Sequence, residues 1–192
     1  MTRPRVLFGE HSTQAPAIDR YVDHSRYDVA FAPLTDTTGF DLVVPLSVSQ
    51  LNQARAAGDR AVVPTPELVE TCDDKLVFAQ TLIGLGFGDL VPDILPDPPV
   101  DYPYVRKARR GNYGNGIRMV RAPGEDETIP DSFCQRAVPG RYEYVLHLLR
   151  VGGRIRFQLC YRYDMAQPLT VRGAVDRPAA TEPADPAPAL TT

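Results

Sequence analysis

The sequence predicts a small parallel α/β domain followed by an α+β region built on antiparallel strands. Two observations carry this reading. Over residues 1–64, short apolar runs alternate with helix-like segments, the pattern of strand–helix–strand units. Beyond Thr65 the pattern changes: a helical stretch comes first, and from Tyr102 onward strand-like runs follow one another, joined by glycine-rich tips instead of helices.

The first domain, residues 1–64, reads in order. Arg5–Gly9 (RVLFG) is a short apolar run ending on glycine, as a buried parallel strand does. Ala15–His24 forms a helix, with Pro16 at a tolerated first-turn position. Tyr27–Ala32 and Asp41–Leu46 are the next strands, and Pro45 falls near the end of its strand, where a lost ladder bond matters least. Ser47 caps a helix running to Ala57, and Gly58 stops it. Ala61–Pro64 is a fourth, short strand.

The second region, residues 65–172, divides into parts at 65–122 and 131–172. Thr65-Pro66-Glu67 is a helix start. A stronger helix spans Asp73 to Leu85, with two aspartates at its positive end and Gly86 or Gly88 beyond it. Tyr102–Lys107 and Ile117–Arg121 are strands flanking a loop that holds Gly111, Gly114 and Gly116. Phe133–Val138 is a strand running into the Pro139-Gly140 turn. Tyr142–Leu149 and Arg154–Tyr161 alternate as strands, joined at Gly152-Gly153. Residues 173–192, dense in proline and alanine, read as a disordered tail.

Composition excludes several functions. At 43% hydrophobic and 23% charged the chain has globular composition, and a net charge of −3 offers no electrostatic basis for nucleic acid or an anionic membrane as partner. Cys72, Cys134 and Cys160 form no C-x-x-C pair, so reduced thiols are expected rather than a zinc site or a disulfide framework. No apolar run approaches a membrane span and the N-terminus lacks a secretory core, which points to the cytoplasm. No Ser-His-Asp ordering or H-x-x-x-H spacing suggests a hydrolase or metalloprotease. His24 and His147 read as structural or surface residues.

The cations are more informative. Only Lys75 and Lys107 are lysines, against nineteen arginines. A lysine retained amid arginine suits a compact charge rather than a planar fork, as tight phosphate pockets require. Lys75 lies in the first turn of its helix, where the local field favours anions. It either pairs with the neighbouring aspartates or helps bind a phosphate. Lys107 directly precedes the glycine loop, which is either an ordinary hairpin turn or a loop whose backbone amides approach phosphate oxygens. That loop is neither a P-loop, lacking G-K-[ST], nor a dinucleotide fingerprint. Arg109 and Arg110 either steer anions or are solvated loop charges. Glu10 and His11, after the first strand, either face a substrate, as loops at strand C-termini often do, or belong to a solvated loop.

Taken in order, several short motifs resemble the ATP-grasp superfamily over roughly residues 1–165. They are D-K at Asp74-Lys75, Y-P-Y-V-R-K ending at Lys107, G-N-Y-G-N-G at 111–116, Q-R-A-V-P-G at Gln135–Gly140 and Y-E-Y-V-L-H at Tyr142–His147. The resemblance implies ATP bound between two α+β subdomains, with Lys75 and Lys107 on its phosphates. Gly111, Asn112, Gly114 and Gly116 would form a closing flap, and Gln135 to Val138 would meet the adenine edge. Glu143 would serve the ribose hydroxyls, although Tyr142 stands at the more usual position. Gln135 replaces the usual glutamate, and Ala108 replaces a common proline. The implied chemistry is ATP-dependent carboxylate–amine ligation through an acyl phosphate, with Mg2+ as metal and small carboxylate and amine substrates. A homodimer is compatible with this reading.

One departure is large. The family carries its metal ligands late, on a strand bearing glutamate-x-asparagine, and no asparagine follows Asn115. The second region is therefore read as an incomplete ATP-grasp domain. Two functions are expected from these features: a ligase, or a truncated homologue that binds nucleotide or a partner protein without catalysis.

Overall fold

The computed structural model describes residues 2–61, 63–111, 114–172 and 177–185. The chain forms two compact units, Met1–Glu70 and Thr71–Thr192, so the boundary lies a few residues beyond the Thr65 change of pattern.

The first unit is built on a parallel sheet of three strands, β1 (Arg5–Phe8), β2 (Asp28–Phe31) and β3 (Leu42–Val44), in the order β2-β1-β3. Val6 and Leu7 of β1 are buried, and Phe8 stacks on Phe31 of β2 with centroids 5.4 Å apart. Leu7, Leu34, Val43, Ala54 and Ala57 form the core. Helix α1 (Gln14–Tyr21) joins the first two strands. The helix expected over Ser47–Ala57 is instead a 3-10 turn, Val48–Gln50, followed by the short α2 (Leu51–Arg55). The fourth strand expected at Ala61–Pro64 is reduced to a single parallel bridge between Val43 and Ala61, and Val62 lies outside the described residues. Pro64 offers no N–H to a ladder, and Thr65 already accepts a hydrogen bond from Leu68 N as the next helix begins.

The helix start expected at Thr65-Pro66-Glu67 and the stronger helix expected from Asp73 to Leu85 are both found, with the boundary between them at Asp74. Helix α3 (Pro66–Asp73) ends at Asp74, which has extended backbone angles and caps α4 (Lys75–Leu82). A π turn, Ile83–Phe87, follows, closed by Gly86. An antiparallel sheet comprises β4 (Ile94–Leu95), β5 (Tyr104–Ala108), β6 (Ile117–Val120) and β7 (Ser132–Arg136), in the order β4-β7-β5-β6. Tyr104, Val120 and Cys134 form its core, with Leu95 against them.

A second antiparallel sheet joins β8 (Tyr142–Val151), β9 (Arg154–Asp164) and β10 (Ala180–Ala184), in the order β10-β9-β8. The β8–β9 hairpin turns on Gly152 and Gly153, both with positive φ, as a two-residue loop of type I′ requires. Strand β10 corrects the expectation of a wholly disordered tail, of which residues 173–176 and 186–192 lie outside the described residues. Its apolar content is low, but pairing on β9 satisfies its backbone, Glu182 meets its register partner Arg162 as an ion pair, and Pro183 is tolerated on an edge strand. Among the described residues, no helix is long and apolar enough to cross a membrane.

Candidate functional site

Alternation along β5 sorts its side chains onto two faces. Val105 and Lys107 point one way, together with Gln135, the register partner of Val105 on β7. Tyr104 and Arg106 point the other way, with Val120 of β6 and Cys134 of β7 opposite them.

On the first face, Lys107 donates from Nζ to Gln135 Oε1 at 2.8 Å, and Gln135 Nε2 donates to Pro92 O at 2.9 Å. Gln135 is 4% exposed, so its amide is a fixed partner. Burial, and secondarily the positive charge of Lys75, hold the Lys107 ammonium below the ordinary lysine range. Lys107, Lys75 and Gln135 share a cavity of about 280 Å³, whose apolar wall includes Phe78, Ala79 and Leu82 of α4.

Lys75 reaches this cavity because Asp74 starts α4 there. The Asp74 carboxylate accepts from Leu76 N at 3.1 Å and Val77 N at 3.2 Å, a helix cap. It also pairs with Arg109, whose Nε lies 2.9 Å and Nη2 2.5 Å from Oδ2, and that guanidinium holds its pKa below the usual carboxylate value. The Arg109 carbonyl accepts from Lys75 N at 2.8 Å. Lys75 Nζ donates to Gly111 O at 2.7 Å, so in this conformation it holds the glycine loop by its backbone. Arg109 is therefore neither a solvated charge nor a free anion guide. Arg110 lies within ion-pair range of Asp73 and Asp74.

The glycine loop closes between Ala108 and Ile117. Ala108 N donates to Gly116 O at 2.7 Å, a bond that the proline common at this place in the resembled family could not make. Gly116 has φ +69°, and a Cβ there would sit 2.8 Å from Ala108 Cβ. Gly114 O accepts from Ile117 N, and Asn112 lies outside the described residues.

The other expected residues stand elsewhere. Val138 is 66% exposed and does not line the lysine cavity, and Glu143 pairs with Arg172 at 2.8 Å. Glu10 and His11 belong to the first unit, at the strand-order switch beside β1. Glu10 O accepts from Gln50 Nε2, and His11 Nδ1 accepts from Gln14 N at the start of α1. Sequence reasoning missed the Asp74–Arg109 pair. The available signal was a cap aspartate directly before one lysine and an arginine two residues after the other.

The opposite face of β5 is closed by charge neutralisation. Arg106, 6% exposed, makes a two-bond fork to Asp126 at 2.6 Å each and two further bonds to Asp97 at 2.9 and 3.1 Å. Both carboxyls are held below the usual range by the guanidinium. Burial first, and the Asp126 hydrogen bond second, push the Tyr104 phenol up to about 12. A second cavity, about 410 Å³, is lined by Leu95, Tyr102, Arg136 and Pro139 among others. Among the described residues no group of three or more His, Cys, Asp or Glu side chains is arranged to hold a metal ion.

No protein-family model and no curated protein sequence matches the chain. Solved structures do. D-alanine–D-alanine ligase from Bacillus anthracis is similar over 99% of this chain and 74% of its own, with a TM-score of 0.59 at 13% identity. A RimK domain protein ATP-grasp from Sphaerobacter thermophilus is similar over 90% of this chain and 92% of its own, with a TM-score of 0.52 at 13% identity. Pyruvate carboxylase from Rhizobium etli is similar over 86% of this chain and 21% of its own, with a TM-score of 0.53 at 15% identity. The fold is that of the ATP-grasp proteins.

Proposed function

We propose that this ATP-grasp-fold chain binds ATP with its phosphates at Lys75, Lys107 and the glycine loop, and that it serves ATP-dependent carboxylate–amine ligation. One observation carries the reading: two lysines from different elements meet in one cavity with neutral partners, main-chain carbonyls for Lys75 and an amide for Lys107. Among the described residues, the ion pairs of this unit are made by arginines. The lysine charges are thus left for an anionic ligand.

In the proposed reaction a substrate carboxylate oxygen attacks the γ-phosphorus, and the bond from that phosphorus to the ADP oxygen breaks. An amine then attacks the acyl carbon and inorganic phosphate leaves. Phosphoryl transfer spreads negative charge over oxygens, and fixed cations in a partly desolvated pocket stabilise it without reorganising. Lys107 supplies a charge whose cost of burial an anion relieves, and Lys75 exchanges a loop carbonyl for a phosphate oxygen. Val138 and Glu143 remain proposed contacts of the nucleoside, on the resemblance alone. Magnesium ordinarily accompanies ATP in such chemistry, held by one or two carboxylates and the phosphates themselves; among the described residues no group of three or more His, Cys, Asp or Glu side chains is arranged around such an ion. The second reading is a module that binds nucleotide or a partner protein without turnover.

Calorimetric titration with ATP tests the shared part. Wild-type protein should bind, and Lys107→Ala should lose about tenfold or more in affinity, the loss of one charge-assisted contact. Equal affinity in the two proteins would sink the assignment. Phosphate release that depends on both magnesium and a carboxylate substrate separates the ligase from the binding module.

A further inference from the structure

We propose that Arg109 is a positioning residue: its pair with Asp74 fixes the start of α4, and with it Lys75, against the end of the strand that carries Lys107. The inference rests on reading the cavity as a polyphosphate site. Asp74 has a side chain only 2% exposed, and it serves two masters, capping α4 and accepting from Arg109. Arg109 answers with its backbone, for its carbonyl takes Lys75 N at 2.8 Å and lies 3.5 Å from Lys75 Nζ. Its own N–H donates to Asp131 O at 2.9 Å, tying the same residue to the segment before β7. The first turn of α4 is thus fastened by side chain and main chain to a residue two positions beyond Lys107. The charged groups around this junction are Lys75, Asp73, Asp74, Arg109, Arg110 and Asp131. Asp74 and Arg109 neutralise one another here, and the aspartates are engaged by arginines, which leaves the lysine charges directed at the cavity.

The scarcity of lysine makes the test direct. With only two lysines in the full chain, 13C-dimethylation yields two side-chain signals to assign and titrate without nucleotide. Arg109→Ala and an Asp74→Asn/Arg109→Gln double variant are compared with wild type. The double variant keeps a capping acceptor and removes both charges, so it remains informative if the single variant fails to fold. As Lys75 drifts from Lys107, the Lys107 midpoint should move up by the share that Lys75 contributes, while burial still holds it below the ordinary lysine value. In unmethylated protein, ATP affinity should fall about tenfold, as expected for a displaced charge-assisted contact. Arg109→Ala removes a nearby positive charge and raises the Lys107 midpoint by that alone, so positioning is read in the double variant, which removes one charge of each sign. There a merely structural pair would lower the melting temperature and leave the Lys107 titration where it was. An unchanged Lys107 midpoint in the folded double variant overturns the proposal whatever ATP does. If the midpoint moves while wild-type protein binds no ATP, the positioning role stands and the nucleotide reading fails.

Discussion

Arg106 and Lys107 are neighbours on β5 and face opposite ways, and their surroundings differ in kind. Arg106 is enclosed by two carboxylates and a serine hydroxyl, which use most of its donors. Lys107 is enclosed by apolar side chains, a neutral amide and another cation. A cation neutralised by carboxylates in the free protein holds the fold together. A cation buried with neutral partners weakens the fold slightly and keeps its charge for a ligand.

The largest expected effect breaks the Arg106 side of this contrast. Arg106→Leu should cost about 3 kcal/mol, toward the low end for a broken buried pair because Asp97 is half exposed and can be rehydrated. Thermal or urea unfolding measures this, and a loss of a few tenths would mean that the cluster is ornamental. Lys107→Met should invert the pattern, leaving stability unchanged or raised while ATP affinity falls about tenfold or more. A variant that unfolds easily but binds ATP normally would erase the distinction between the two faces.

The pH dependence sharpens the contrast further. Lys107 has a folded-state pKa below its unfolded value of 10.5, so between the two the unfolded chain binds more protons and stability rises with pH. The cost of burying the charge is fully present below the folded pKa and disappears as pH approaches 10.5. Wild type should therefore gain on Lys107→Met as pH climbs toward that value in paired denaturation curves. Cys134, raised to about 11 by burial, and Tyr104, raised to about 12, act in the opposite sense, losing stability as pH rises. Both are common to the two proteins and cancel. Parallel curves would show that Lys107 is solvated.

Smaller effects lie at the loop and beyond. Gly116→Ala should cost about 1–2 kcal/mol, because a side chain there meets both a positive φ and the Ala108 methyl. Glu143→Gln should change stability by less than about 0.5 kcal/mol, as for other exposed pairs. A marked loss of ATP affinity in this variant would support the ribose contact that the resemblance implies; normal affinity would leave Glu143 as a partner of Arg172 alone.

Much of this was legible along the chain. The alternation of Arg5–Gly9, Tyr27–Ala32 and Asp41–Leu46 with helical segments marks a parallel sheet, since buried strands read as apolar runs. Gly152-Gly153 between alternating runs marks the β8–β9 hairpin. Strand β4, only Ile94–Leu95, carries too few residues to show a period. Which of Asp73 and Asp74 caps α4 was hidden because aspartate fits a helix's first turn as well as its cap, and only backbone angles distinguish them. Strand β10 was hidden because its stability comes from β9 and the Arg162–Glu182 pair, not from its own side chains.

Local periodicity and composition, with two lysines among nineteen arginines, determined by themselves the classes of the two regions and the residues on which to look for an anion. Only the tertiary structure decided which cations are already neutralised. Arg109 and Arg106 meet carboxylates brought in from α4's cap and from the segments around Asp97 and Asp126, whereas Lys75 and Lys107 meet carbonyl and amide oxygens. Charge pairing depends on distance in space, and neighbours in space are set by sheet register and helix placement, which no single stretch of sequence contains.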